Sequence, residues 1–212
     1  MKILKNGFLI FSILTFAVSS AECPTLPDNF LPVPLIRQAN TYSCGAAVLL
    51  SVLYYWQVYD EGEVSLYKLL KTTEKEGTHP KRIVQVAKQF GLTALFVENQ
   101  KIEDLKIALE RGDTVIIDLQ AWPDEDEEGK PWVDVWEAGH YIVLVGIDNS
   151  NVYAMDPSTP SSYTFIPISE LYDRWHDYEN EIGKKWKNYQ LAIYIHGKTP
   201  LQTIPAQLKR IE

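Results

Sequence analysis

Residues 33–56 read VPLIRQANTYSCGAAVLLSVLYYW and contain a nearly uninterrupted apolar run from Ala46 to Trp56. This run is long enough for about three helical turns, so it predicts a buried helix with Cys44 and Gly45 at its N-terminus. Unpaired N–H groups and the helix macrodipole favour a thiolate there, and the thiolate is the nucleophilic form of cysteine. Gln38 precedes Cys44 in a polar loop, where its side-chain amide could donate a hydrogen bond to an oxyanion beside the sulfur.

Cys44 also has two structural interpretations. Free cysteine is often a small buried hydrophobic residue, and in an exported protein the other cysteine, Cys23, could form a disulfide with Cys44. Cys23 lies in a proline-rich stretch with Pro24, Pro27 and Pro32, which predicts an extended, mobile tail. We therefore expect a free Cys44 rather than a Cys23–Cys44 disulfide.

The first 21 residues, MKILKNGFLIFSILTFAVSSA, are typical of a secretory signal peptide. Lysines precede a short apolar segment, and small residues lead to a predicted cleavage after Ala21. The segment is too short for a membrane span, so we expect a periplasmic or secreted mature chain with no stable membrane insertion. A lipid anchor on Cys23 is a minor alternative, because Glu22 stands where lipoprotein processing requires a small residue.

Charge and length limit the function classes. The 212 residues carry a formal net charge of −8, which becomes about −10 when Lys2 and Lys5 leave with the signal peptide. This charge argues against nucleic acid as a partner. The remaining chain of about 190 residues fits one domain with a sizeable core. We divide the chain into a signal peptide at 1–21, a proline-rich segment at 22–32, a domain at 33–197 and a C-terminal tail at 198–212.

Apolar periodicity predicts further helices and strands within the domain. The later predicted helices span residues 64–71, 80–90, 102–110 and 169–175, with Ser169 as the N-cap of the last. The predicted strands span residues 92–97, 114–119, 139–148, 152–155, 163–168 and 188–196.

A predicted hairpin brings two polar side chains together. His140 lies at the start of the strand at 139–148, and Asp156 directly follows the strand at 152–155. Because residues 149–151 supply a turn, the register of the hairpin places both residues at the same end. A carboxylate beside an imidazole fixes its tautomer and stabilises its protonated form.

We expect no metal or cofactor site. The acidic run Asp124–Glu128 is predicted to be a solvated loop tip, and the tryptophans around it are candidates to cover or line a cleft: Trp122, Trp132 and Trp136. The other histidines are expected at a helix start, a solvated helix end and a strand end: His79, His176 and His196. None of them has metal-ligand spacing to another His or Cys.

Three segments together resemble the peptidase C39 family, including its free-standing C39-like members. They are Gln38 with Cys44-Gly45-Ala46-Ala47, Gly139-His140-Tyr141 with the apolar strand to Gly146, and Asp156-Pro157-Ser158, in the order found in the family. The resemblance covers residues 31–196. It implies an α+β, papain-like fold, in which a helical half carrying Cys44 packs on an antiparallel β-sheet carrying His140 and Asp156.

The same resemblance implies a bacterial thiol protease that hydrolyses peptide bonds in a peptide or protein substrate without a cofactor. By analogy, Cys44 is the nucleophile, His140 the general base and acid, Asp156 the residue that orients His140, and Gln38 the oxyanion donor. An acyltransferase, transglutaminase or deamidase would use the same residues with another acceptor. A peptide-binding module would leave Cys44 idle or disulfide-bonded. The sequence predicts no oligomeric state.

Overall fold

The computed structural model describes residues 24–28, 30–181, 184–202 and 208–210. The predicted signal peptide and Cys23 lie outside these ranges. The helices are α1 (Cys44–Tyr55), α2 (Glu63–Leu70), α3 (Pro80–Gln89), α4 (Ile102–Glu110) and α5 (Ile168–Arg174), with one 3-10 turn at Trp132–Asp134. The strands are β1 (Thr93–Val97), β2 (Thr114–Gln120), β3 (Gly139–Ile147), β4 (Asn151–Met155), β5 (Tyr163–Pro167), β6 (His176–Glu181), β7 (Lys184–Tyr189), β8 (Ala192–His196) and β9 (Leu208–Arg210). None of the described helices is both long and apolar enough to cross a bilayer.

Seven strands form one sheet in the order β1-β8-β2-β3-β4-β5-β9, and β6 pairs with β7 in a separate sheet. Neighbouring strands are antiparallel except β5 and β9. Because successive strand residues point to opposite faces, β3 contributes Val143 to a core with α1, α2 and α3, and Leu144 to a second core with α4 and α5. The predicted α+β class is therefore confirmed, with helices on both faces of the sheet.

Helix α1 confirms the first prediction, since it begins at Cys44 and its residues from Gly45 to Leu53 are buried. It contacts β3 on one side and α2 and α3 on the other. The buried Ser51 hydroxyl donates to the Pro34 carbonyl at 2.5 Å, which satisfies its hydrogen-bonding group. A Cβ atom on Gly45 would lie 2.6 Å from Thr78 Cβ, so glycine permits the close approach of this loop to the helix.

The described part of the proline-rich segment packs against the domain. The Leu31 N–H donates to the Val145 carbonyl at 2.7 Å, and the Phe30 ring lies 5.8 Å from the Tyr163 ring, measured between centroids. The expectation of a mobile tail is therefore wrong for these residues, because their apolar side chains pack against the core that includes residues of β3 and β5.

The C-terminal half departs most from the sequence prediction. The strand predicted at 188–196 is interrupted by Gln190, whose φ of 47° is left-handed and cannot continue a strand. Ser169 is not the N-cap of α5, because that helix begins one residue earlier, at Ile168. The hairpin of β6 and β7 was not predicted, since its strands consist mostly of charged and polar residues and lack the alternation of apolar and polar residues that is typical of strands. The stretch predicted as a C-terminal tail includes β9, which pairs with β5.

Candidate active site

Cys44 is the first residue of α1 and carries a free, partly buried thiol. The turn before it is closed by Asn40 and Ser43: the Asn40 N–H donates to Ser43 Oγ at 3.0 Å, and the Ser43 hydroxyl donates to the Asn40 carbonyl at 3.1 Å. The first N–H groups of a helix have no intrahelical acceptor. The sulfur therefore lies at the positive end of the α1 dipole, beside N–H groups that can bind an anion.

His140 and Asp156 meet at one end of the β3–β4 hairpin, as the register predicts. His140 Nε2 and Asp156 Oδ1 are 2.7 Å apart, and the two side chains are 6% and 0% exposed. Because Asp156 engages Nε2, the other ring nitrogen is left for Cys44, which lies close enough to the imidazole to contribute to raising its pKa. Residues from α1, β3 and the end of β4 thus form one cluster.

The electrostatics of this cluster favour a protonated imidazole beside an ionised carboxyl group. Burial acts to lower the pKa of His140, but the charge and hydrogen bond of Asp156, followed by those of Cys44, raise it to about 10. Burial acts to raise the pKa of Asp156. The charge of His140 and three hydrogen bonds outweigh this effect, so the pKa of Asp156 lies below its ordinary value.

Trp122 holds the second oxygen of Asp156, a role that the sequence analysis missed. The Trp122 indole N–H donates to Asp156 Oδ2 at 3.0 Å, and the Ser158 backbone N–H donates to Oδ1 at 2.8 Å. The Trp122 backbone has a φ of 56°, which is uncommon for a bulky residue. The donors fix the carboxylate, and through it the plane of the His140 ring. Trp122 and Asp156 are 34 residues apart in the sequence. The residues around Trp122 therefore do not indicate that it contacts Asp156.

Gln38 lies in the loop before Cys44 and connects it to the segment after Asp156. Its backbone N–H donates to the Pro157 carbonyl at 3.1 Å, and its side-chain oxygen accepts from the Ser158 hydroxyl at 3.3 Å. Its Nε2 donates to the Asn40 carbonyl at 2.9 Å. The amide has two N–H groups, so one remains for a ligand.

A cavity of about 290 Å³ opens beside Cys44. Its lining includes four aromatic residues and five acidic residues: Tyr42, Trp136, Tyr141, Tyr178, Glu74, Glu76, Glu137, Asp177 and Glu179. A second depression, of about 570 Å³, is lined by Gln38 and Ser158, and Thr41 lines both spaces, so they adjoin. A larger cavity of about 770 Å³ lies between α4, β1 and β8, and the Cys44 cluster does not line it.

The remaining histidines have structural partners. His79 is the N-cap of α3 and accepts a backbone N–H at 3.1 Å, and His196 at the end of β8 lies 2.8 Å from Asp113. The expectation of a solvated His176 is wrong: its Nε2 is 2.8 Å from the Val135 carbonyl and the residue is buried, because β6 runs beneath the 121–138 loop. Among the described residues, no three or more His, Cys, Asp or Glu side chains are grouped to hold a metal ion.

Within the loop at 121–138, Asp124, Glu125, Asp126 and Glu128 are exposed, as expected of a solvated loop tip, and Glu127 is the exception. Glu127 is buried and accepts the backbone N–H groups of Trp136 and Glu137 at 3.4 and 3.3 Å. Lys130 pairs with it at 3.5 Å. These contacts fold the acidic run back on itself and hold Trp136 against the cavity beside Cys44.

Comparison with known proteins agrees with this architecture. A family model described as the Peptidase_C39 like family matches residues 30–183. No curated protein sequence matches the chain. A solved structure of a candidate C39-like peptidase from Bacillus anthracis has a TM-score of 0.57 at 19% identity, covering 79% of this chain and 96% of its own.

Two further solved structures are similar. The double glycine motif protease of an AMS/PCAT transporter, solved with its leader peptide, has a TM-score of 0.55 at 19% identity over 80% of this chain and 96% of its own. The peptidase domain of Streptococcus ComA, a bi-functional ABC transporter involved in quorum sensing, has a TM-score of 0.55 at 22% identity over 78% of this chain and 99% of its own. These similarities confirm the predicted papain-like peptidase fold.

Proposed function

Because this chain belongs to the Peptidase_C39 like family, we propose that it is a cysteine peptidase in which Cys44 is the nucleophile and His140 the general acid and base. Asp156 orients His140, and Gln38 with the Cys44 backbone N–H stabilises the oxyanion. The observation that carries this proposal is the cluster at the start of α1, where the His140–Asp156 pair at 2.7 Å interacts with the Cys44 side chain.

The reaction begins from a thiolate–imidazolium pair. The Cys44 sulfur attacks the amide carbon, and the carbonyl oxygen becomes an oxyanion that accepts hydrogen bonds from the α1 N-terminus and Gln38. The His140 imidazolium transfers its proton to the leaving nitrogen, the C–N bond breaks, and a thioester remains on Cys44.

Hydrolysis of the thioester restores the starting state. A water molecule gives a proton to the neutral His140 imidazole and attacks the thioester carbon. The C–S bond breaks, the carboxylic acid product leaves, and the thiolate–imidazolium pair forms again. Asp156 stays ionised throughout, since its depressed pKa and buried hydrogen bonds favour the charged form.

The test uses mature protein and a peptide library made by digesting a proteome, with cleavage products read by mass spectrometry. We expect new cleavages with the wild-type protein, and their loss with Cys44→Ala while the thermal unfolding curve is retained. Equal cleavage by Cys44→Ala would contradict the proposal. Adding a primary amine separates hydrolysis from acyl transfer, because a transferase would return amide products. The signal peptide predicted at 1–21 is the basis for proposing that the reaction occurs outside the cytoplasm.

A further inference from the structure

The cavity beside Cys44 has an unbalanced charge. Five carboxylic acids line it, namely Glu74, Glu76, Glu137, Asp177 and Glu179, against a single lining lysine, Lys75. Lys75 is paired with Glu76 at 2.5 Å and is mostly exposed. The cavity therefore carries a negative potential at the position where a substrate of Cys44 must bind.

Asp177 is the acidic residue whose surroundings point most clearly to a ligand. Its Oδ1 accepts a hydrogen bond from Gln120 Nε2 at 3.0 Å, and within the described residues it forms no ion pair. Its other oxygen lies against Gly139, where an added Cβ would overlap the carboxylate. Because Gly139 directly precedes His140, Asp177 is held beside the reacting cluster.

A second carboxyl group lies behind Asp177, in the protein interior. Asp118 is fully buried, and its carboxyl group faces that of Asp177. Its Oδ2 accepts from Asn188 at 3.2 Å, but its buried Oδ1 receives no hydrogen bond from any described donor. Asp177 thus lies between the cavity, which it lines, and the buried carboxyl group of Asp118, which does not line it.

Two facing carboxyl groups can form a hydrogen bond only while one of them holds a proton. Burial, followed by the charges of Asp177 and Glu179, raises the pKa of Asp118 well above its ordinary value. Burial also raises the pKa of Asp177 to about 6, against the lowering effect of its hydrogen bonds. A cation in the cavity would stabilise the ionised pair.

Two lysines of the chain itself contact residues that line the cavity. Lys185 Nζ lies 3.3 Å from the centre of the Tyr178 ring and 3.5 Å from Glu137. Lys187 Nζ lies 3.7 Å from the centre of the Trp136 ring. The wall is thus made of groups that attract ammonium ions, while the acidic end at Asp177 has no lysine or arginine paired with it among the described residues.

We propose that this cavity is a specificity subsite that binds the basic side chain, lysine or arginine, of a substrate residue next to the scissile bond. The inference rests on the proposed function, because it assigns the substrate class of the Cys44 site. The ammonium or guanidinium group pairs with Asp177, and the aliphatic part of the side chain lies between Trp136 and Tyr178.

The first test compares cleaved peptides from the proteome-derived library. We expect lysine or arginine to be enriched at one position flanking the cleaved bond. With Asp177→Asn, the ratio of kcat/KM for a basic peptide to that for its neutral analogue should fall about 10- to 100-fold. The matched control is Glu103→Gln, which removes the same charge from an exposed site on α4, on the opposite face of the sheet from α1.

The second test needs no hydrolysis. In a Cys23→Ser background, Cys44 is alkylated by 2-bromoethylamine, which is cationic, and by 2-bromoethanol, its neutral analogue; each forms an S–C bond and releases bromide. We expect Asp177→Asn to lower the amine-to-alcohol rate ratio about 10-fold and Glu103→Gln to leave it unchanged.

The outcomes separate the two proposals. Cleavage without a basic preference, or an amine-to-alcohol ratio that Asp177→Asn does not change, would overturn the subsite and leave the peptidase proposal intact. If wild-type protein cleaves no peptide, the peptidase proposal fails, and the alkylation ratio still decides whether the cavity selects a cation.

Discussion

At the scale of single residues, the candidate site depends on how one carboxylate is held. Asp156 contacts His140 through Oδ1 and Trp122 through Oδ2, while the Ser158 N–H adds a further bond. Each donor favours the ionised carboxylate, and the ionised carboxylate favours the imidazolium. Trp122 is thus a positioning residue that acts on His140 through Asp156.

Trp122→Phe tests this chain of contacts. The variant keeps an aromatic ring but loses a hydrogen bond to a buried charge, a bond worth roughly 1.5–3 kcal/mol. We expect kcat/KM to fall by about 10-fold or more. Because the lost donor favoured the ionised form, the pKa of Asp156 should rise, and the acid limb of the pH–rate profile should move to higher pH.

The matched control is Trp132→Phe. Trp132 packs its ring against Arg174, 3.8 Å from the guanidinium carbon, so its loss should leave the acid limb in place. If both variants moved the limb equally, Trp122 would have no specific role in holding Asp156.

The sequence predicted Cys44, His140 and Asp156 as neighbours. It predicted Trp122 as a residue over a cleft but not as a hydrogen-bond donor to Asp156, and it gave no role to Asp177. His140 and Asp156 lie at the ends of strands whose apolar patterns are strong, so the hairpin register determines where they meet, and the resemblance to the C39 family added Cys44 to them. Trp122 depends on a left-handed backbone conformation. Asp177 depends on β6, a strand whose alternate positions are charged. Neither feature produces a periodic pattern of apolar residues, so neither could be predicted from the sequence.

At the scale of elements, the start of α1 is held in place by its contact with the loop before α3. The Gly45 site has no space for a methyl group, because the nearest atom is the Thr78 Cβ, which side-chain rotation cannot move away. Thr78 is itself held by a hydroxyl–hydroxyl hydrogen bond to Thr72 at 2.7 Å. The position of Cys44 therefore depends on this contact.

Gly45→Ala should lower the free energy of unfolding by about 1–3 kcal/mol, as overpacking does, and should also slow alkylation of Cys44. Urea unfolding measures the first effect. Gly62→Ala is the control, because a Cβ at Gly62 would meet nothing within 4 Å. A loss no larger than that of Gly62→Ala would show that the contact tolerates the methyl group.

The sequence predicted the helices and strands more completely than it predicted the residues of the site. The bounds predicted for α4 agree with the structure at both ends, and α1 begins at the cysteine as expected, because apolar residues recur along α4 and form a nearly uninterrupted run in α1. The β6–β7 hairpin could not be predicted, since its strands pair largely through polar and charged residues.

At the scale of the whole molecule, stability should fall as the pH rises through the titrations of two groups, the His140 imidazole and the Asp177 carboxyl group. His140 has a pKa raised to about 10, so its contribution is fully present below its unfolded pKa of about 6.5 and is lost as the pH rises through 10. Asp177 has a pKa raised to about 6, so it binds a proton more tightly when folded. It therefore lowers stability as the pH rises from about 4 to about 6.

Asp177→Asn should remove the second effect. Relative to wild type, the variant should gain roughly 1–3 kcal/mol of unfolding free energy between pH 4 and pH 7, shared with the coupled Asp118 carboxyl group. Urea unfolding at both pH values measures the difference. A variant whose stability relative to wild type is the same at both would show that Asp177 titrates normally.

Catalysis as proposed depends on a thiolate–imidazolium pair formed by Cys44 and His140. The most direct measurement is the rate of Cys44 alkylation by iodoacetamide from pH 5 to pH 10, read by intact mass in a Cys23→Ser background, for wild type and His140→Ala. We predict that wild type reacts rapidly well below the ~8.5 at which a free cysteine thiol titrates, and that His140→Ala loses this reactivity. A wild-type profile that follows a free thiol, or that His140→Ala leaves unchanged, would contradict the account.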